Sequence, residues 1–248
     1  MDRGTVAKIL VVGGVLISAV LIVGLFLGGS NDHEVKTGGY RIPQDSDKVA
    51  TGGHLVTPEP AMKVLETIPV KGRAPATGYT RSEFGRPWTD DVDVEGGHNG
   101  CDTRNDILRR DLVSVVPAEG CRVLAGLLHD PYTRRDIQVD RGEGTAILIQ
   151  IDHVVPLKDA WQKGAQEWDA RKRVQFANDP LNLLAVGHQA NKAKRDGDVA
   201  TWLPQNNAFR CAYVTRVVKV KAKYGVWMTQ PEHDAAERIL NQCSLSGK

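Results

Sequence analysis

An aspartate followed directly by a histidine closes an apolar, β-branched run: Gln150-Ile151-Asp152-His153-Val154-Val155-Pro156-Leu157. A carboxylate and an imidazole side by side divide two tasks. The carboxylate holds a hard divalent cation. The imidazole, with an ordinary pKa near ~6.5, takes a proton from water at neutral pH. Two further segments follow in order, Asn178-Asp179-Pro180-Leu181-Asn182-Leu183-Leu184 and Asn191-Lys192. Alone, an Asp-His pair is more simply a hydrogen-bonded strand end; the asparagines in register with it give it the weight of a site.

Those side chains need elements to hold them. Successive strand residues point to opposite faces, so Asp152 and His153 are both buried only if the strand ends or bulges there. Residues 146–155 read as that strand and 181–186 as a second, short one. Between them, 158–176 reads as a helical connection with Trp161, Trp168 and Phe176 as core contacts. Residues 189–196 are polar and basic, a helix start or a loop. Upstream, 102–112 reads as a helix capped by Asp102 or Thr103, with Ile107, Leu108 and Leu112 on one face. Downstream, helices over 206–224 and 231–243 flank a turn at Tyr224-Gly225. Strand, long connection, strand and helix, surrounded by helices, is an α+β pattern.

Four segments in this order resemble the HNH endonucleases, whose core is the ββα-metal or His-Me finger. The likeness is closer still to secreted actinobacterial HNH proteins related to the C-terminal domain of GmrSD-type restriction endonucleases. It runs from roughly Pro69 to Cys243. It is carried by Gly100-Cys101-Asp102-Thr103-Arg104-Asn105-Asp106-Ile107-Leu108, Asp152-His153, Phe176-Ala177-Asn178-Asp179-Pro180-Leu181-Asn182-Leu183, Asn191-Lys192 and Trp202-Leu203-Pro204. The resemblance implies a small ββα-metal core embedded in a mostly helical domain. It implies His153 as the general base that activates water and Asp152 as the acidic metal ligand. Asn182 would orient the histidine and brace the loop between the strands. Asn191 would be the second metal ligand, where the literal pattern has histidine; its amide oxygen suits Mg²⁺, with Mn²⁺ as the alternative. His188 ranks second for that role. The implied reaction is hydrolysis of DNA with little sequence specificity, leaving 5′-phosphate and 3′-hydroxyl ends; RNA stays open as a substrate.

Charge supports a polyanionic partner only locally. The chain of 248 residues carries 32 basic and 30 acidic side chains, yet residues 141–230 hold 14 and 8, a local excess of +6. Lys192, Lys194 and Arg195, directly after the second ligand position, are expected to neutralise phosphates without reading bases. For Arg216, Lys219, Lys221 and Lys223 a solvated helix face is the stronger reading. Trp161, Trp168, Trp202 and Trp227 read as core, and His98 and His233 as surface.

With 41% hydrophobic residues, wholesale disorder and a polytopic membrane protein are excluded. Arg3 and Lys8 precede an uncharged stretch over 9–30, long enough for a helix to cross a bilayer. Residues 1–30 are therefore expected to be an uncleaved signal-anchor, with a cleaved secretory signal as the close second. Residues 31–75, with a short helix-like stretch at 62–68, read as a flexible tether, and 76–248 as the folded domain, whose first aromatic anchors are Tyr79, Phe84 and Trp88. An extracytoplasmic domain with four cysteines and no CxxC pair reads as two disulfides. Cys211 and Cys243 each lie 16 residues from Trp227, so an antiparallel helix pair favours joining them and leaves Cys101 with Cys121. No protein partner is expected. Two other functions compete: an envelope protein that binds nucleic acid without cleaving it, and a purely structural one.

Overall fold

The structure, a computed structural model, describes residues 58–141 and 144–246. The expected membrane or signal segment over 1–30, and the tether as far as residue 57, lie outside the described residues. Among the described residues no helix is long and apolar enough to cross a membrane.

Helix α1 (Pro58–Leu65) corrects the tether reading for its last part. Ala61 and Leu65, and Ile68 just past the helix, are spaced to share one helical face. All three are buried, and α1 packs on the last two helices of the chain. Val70 then bridges to Met228. The folded body therefore begins before residue 76.

A 3-10 turn over Arg81–Phe84 leads through Trp88 to α2 (Thr103–Asp111), which starts where its cap predicts: the Asp102 side chain accepts from the Asn105 amide. Three strands follow as an antiparallel meander, β1 (Leu112–Pro117), β2 (Val123–His129) and β3 (Asp136–Asp140). Strand β4 (Ile149–His153) is shorter than expected because 145–148 form a 3-10 turn. The helical connection expected over 158–176 consists of two helices, α3 (Leu157–Trp161) and α4 (Ala170–Asn178), with Gly164 between them. That glycine has φ +123°, and a Cβ on it would sit 3.2 Å from the Trp227 ring. Strand β5 (Leu183–Gly187) pairs antiparallel with β4, setting His153 opposite Leu183 and Asp152 opposite Leu184. Helix α5 (His188–Lys194) follows without a linker, and α6 (Arg210–Tyr224) and α7 (Gln230–Ser246) complete an α+β fold with two small antiparallel sheets.

The β4–β5 hairpin lies between two apolar cores. Ile149, Ile151, Leu183 and Ala185 pack with α2 and the meander. Leu184 and Val186, from the opposite face, pack with α1, α3, α4, α6 and α7. Covering both faces of so short a hairpin is what allows Asp152 and His153 both to be buried. Disulfides join Cys101 to Cys121, tying the start of α2 to the β1–β2 turn, and Cys211 to Cys243, tying α6 to α7.

Candidate active site

His153 ends β4 and is 7% exposed. Its Nε2 lies 2.9 Å from the Ala177 carbonyl oxygen at the end of α4. A carbonyl only accepts, so Nε2 carries the proton and Nδ1 keeps its lone pair. Burial lowers the imidazole pKa from 6.5 to about 3; the Arg81 guanidinium adds to that effect and the Ala177 bond opposes it. The ring is therefore neutral at physiological pH, the form that accepts a proton. Trp88 stacks on it, ring centroids 5.9 Å apart and planes 15° from parallel.

Asp152 is held from two sides. The Tyr132 hydroxyl donates to Oδ2 at 2.6 Å, and the Lys194 ammonium lies 3.0 Å from Oδ1 and 2.9 Å from Oδ2. Burial and the neighbouring carboxylate raise the Tyr132 phenol well above 10, so it remains a donor. Tyr132 reaches this position from the β2–β3 hairpin tip. There Asp130 accepts from the Tyr132 amide and from the Thr133 hydroxyl, and the Tyr132 ring packs on Trp202, Phe209 and Tyr213.

Asn182 is fully buried and works as a staple. Its Oδ1 accepts from the Val155 amide at 2.8 Å, its Nδ2 donates to the Val155 and Phe176 carbonyls, and its own carbonyl accepts from the Val154 amide. It thus braces the segment after β4. The side chain does not touch His153; the atom that orients the imidazole is the Ala177 carbonyl, one residue beyond the Phe176 carbonyl that Asn182 holds.

Asn191, on α5, donates from Nδ2 to Gln150 Oε1 at 2.8 Å, and Gln150 in turn meets His188 Nδ1 at 2.7 Å. This leaves the Asn191 side-chain Oδ1 without a protein donor among the described residues, and it engages His188 Nδ1. Asn191, Asp152 and His153 line one open cleft of about 230 Å³, together with Tyr79, Arg81 and Arg195. The donor set suits a small hard cation. Asp152 Oδ1 keeps one lone-pair direction, Asn191 Oδ1 is free, and water can supply the remaining ligands.

The basic residues separate. Lys192 and Arg195 are exposed, and Arg195 lines the cleft. Lys194 is corrected: its side chain is buried against Asp152 and the His153 carbonyl, so its ammonium is not offered to solvent phosphates. Lys221 is buried beside Asp159 and Glu232, Lys223 pairs with Asp179, and Arg216 donates to the Leu183 carbonyl. Burial, aided by Arg110, lowers the Arg216 pKa to about 10.

Sequence reasoning missed Tyr132, Arg81 and the role of Trp88. The first had a signal: Asp130-Pro131-Tyr132-Thr133 carries the residues of a side-chain-stapled turn between two strands. The other two are brought to His153 by a one-turn 3-10 segment and the loop after it, with no periodicity to read.

Three comparisons bear on this geometry. Residues 102–236 match the family described as GmrSD restriction endonucleases, C-terminal domain. A protein of Arthroderma benhamiae, called an uncharacterized secreted protein, is 33% identical over 198 residues, covering 79% of this chain and 90% of its own length. No solved structure matches.

Proposed function

Because the chain belongs to the family of GmrSD restriction endonuclease C-terminal domains, we propose that it is a metal-dependent endonuclease that hydrolyses DNA phosphodiesters with little sequence specificity. In this reading β4, β5 and α5 form a ββα-metal (His-Me finger) core. The observation that carries it is the His153 tautomer, a proton fixed on Nε2 by the Ala177 carbonyl and a lone pair left on Nδ1, in the cleft that Asp152 and Asn191 line.

His153 Nδ1 accepts a proton from the attacking water, which directs the oxygen at phosphorus. Trp88 and the Ala177 carbonyl hold the ring so that little reorganisation is needed as the proton moves. Asp152 and Asn191 would hold the divalent cation, Mg²⁺ on the chemistry of their oxygens, which when bound neutralises charge on a non-bridging oxygen and on the leaving 3′ oxygen. Arg81 and Arg195, both on the cleft wall, bind the scissile phosphate, and Lys192 contacts the backbone beside it. Charges placed on the cleft wall and beside it suit phosphates of the backbone, which carry no sequence information. The two disulfides and the secreted fungal relative support a site of action outside the cytoplasm.

A second reading, a nucleic-acid-binding protein that does not cleave, draws on Lys194, whose ammonium engages both oxygens of Asp152. Supercoiled plasmid separates the two. The full chain is expected to nick it with Mg²⁺ and not with EDTA, and His153→Ala is expected to slow nicking by about 10²–10⁴-fold. Salt-dependent retention of plasmid without nicking would establish the second reading.

A further inference from the structure

Beside the cleft lies a cavity of about 590 Å³ into which Arg86, Arg104, Arg122 and Arg141 converge, walled by Trp88. Asp102 lines it too, with each oxygen already accepting one bond at the start of α2, from the Asn105 amide at 2.8 Å and the Asn105 side chain at 2.6 Å. Asp102 aside, no carboxylate among the described residues lines the cavity. Arg86 and Arg122 are exposed and make no side-chain hydrogen bond among the described residues. Arg104 makes one long contact, 3.4 Å to the Ile149 carbonyl, and Arg141 one of 3.5 Å to Asn105. Burial and then the Arg141 charge lower the Arg104 pKa, and the Asp102 carboxylate offsets them only in part, so the arginines repel one another as they stand. A fold gains nothing from gathering four like charges in one concavity; a polyanionic ligand does.

We propose that this cavity is a subsite for backbone phosphates of the substrate DNA strand flanking the scissile bond. The proposal rests on the nuclease reading of the neighbouring cleft. Three observations fix its place. Trp88 belongs to both sites: it walls the arginine cavity and stacks on the His153 imidazole. It does so from a left-handed backbone conformation, φ +58°, that a bulky residue adopts only when its surroundings impose it; its carbonyl accepts from the Thr103 amide at the start of α2. Arg104 reaches the carbonyl of the first residue of β4, and His153 is the last. Four strand steps of about 3.3 Å separate them, about 13 Å, the rise of roughly four base pairs. The cavity volume lies in the range that accommodates a ligand of nucleotide size. Guanidinium forks suit phosphate oxygens, and an indole wall tolerates any base.

The test is the salt dependence of binding, measured by fluorescence anisotropy with a 20-base-pair duplex in EDTA, using the full chain. Arg86→Gln/Arg122→Gln removes two exposed charges. Arg171→Gln/Lys172→Gln, on α4, removes two elsewhere and controls for net charge. Loss of two phosphate contacts is expected to lower the slope of log K against log[salt] by about 1.8, which is about 30-fold weaker binding at 0.15 M salt relative to 1 M. The control pair is expected to keep the wild-type slope. An unchanged slope in Arg86→Gln/Arg122→Gln, or an equal loss in the control, overturns the subsite. Tripolyphosphate gives a second readout: it is expected to raise the melting temperature of the wild type more than that of the double variant, and equal shifts overturn the subsite. Plasmid nicking by the wild type is scored separately. Binding with the expected slopes but no nicking overturns the nuclease and supports the cavity as a phosphate site; nicking with unchanged slopes overturns the cavity alone. A wild type that neither binds nor nicks overturns both.

Discussion

With its ammonium 2.9 and 3.0 Å from the oxygens of Asp152, Lys194 places a fixed positive charge beside the atoms proposed to hold a divalent cation. The two cations compete for one buried carboxylate. Lys194→Met removes the fixed one and keeps the volume, leaving Asp152 with the Tyr132 hydroxyl alone. Breaking a buried pair in this way costs about 3–5 kcal/mol, and bound metal should restore part of it, about 2.7 kcal/mol when Mg²⁺ is present at 100 times its Kd. Thermal unfolding with and without Mg²⁺ checks this: the Mg²⁺-dependent rise in Tm should be larger in Lys194→Met than in the wild type, and equal rises would remove Asp152 from the ligand set. Tyr132→Phe deletes the other support. The lost bond is made to a charged acceptor, so about 1.5–3 kcal/mol of stability should go, seen as a lower urea midpoint at unchanged m-value. A midpoint like that of the wild type would mean that the 2.6 Å contact does not hold Asp152 in solution.

At the scale of the element, the break between α3 and α4 directs the chain from His153 back to Ala177, the carbonyl that orients it. Gly164 makes the break with φ +123°, against the Trp227 ring. Gly164→Ala should cost about 2 kcal/mol. Gly72→Ala, where the added methyl meets nothing within 4 Å, should stay within about 0.5 kcal/mol. Equal urea midpoints for the two variants would show that the break is not conformationally demanding. The same glycine marks a limit of what the sequence discloses. Residues 158–176 keep helical periodicity across Gly164, because the reason for the break is a tryptophan over sixty residues away. The strand carrying Asp152-His153, the strand carrying Asn182's successors and the capped helix at Asp102 were legible, since each is specified by its own run of residues. The meander was not. Ser114 turns to φ +51° inside β1, the register shifts around Val116, and buried, half-buried and exposed positions follow one another irregularly in β1 and β2, so no alternation survives to be read. The three-dimensional partners of the site came mostly from such segments: Tyr132 from the meander's hairpin tip, Arg81 from a short 3-10 turn and Trp88 from the loop after it.

At the scale of the whole molecule, a buried charge network holds the chain on either side of the β4–β5 hairpin and α5. Lys163, fully buried, touches Asp159 at 2.6 Å, Glu232 at 2.6 Å and Asp198 at 2.9 Å; Lys221 and Arg73 complete a set of three cations and three anions. Asp159 stands six residues after His153 and Asp198 four after Lys194, so the network fixes the chain where it leaves the site on both sides and ties it to α6 and α7. Burial works against every charge here, and the partners outweigh it. Lys163 titrates above its ordinary value, Asp159 and Asp198 below theirs. The signs give a plateau. The depressed carboxylates contribute fully above their unfolded pKa, near ~4, and lose that contribution as pH falls through their folded values. The raised lysine contributes fully below ~10.5 and loses it as pH rises through its folded value. Between those limits the network adds no slope. Lys163→Met leaves three buried carboxylates facing two cations and should cost about 3–5 kcal/mol at pH 7. Burial then dominates, the carboxylates bind protons more tightly folded than unfolded, and stability rises as pH falls. The Tm deficit of the variant should therefore shrink between pH 8 and pH 5. A deficit constant across that range would mean that the remaining cations rearrange to neutralise the site, and that the network is not the rigid clamp its distances describe.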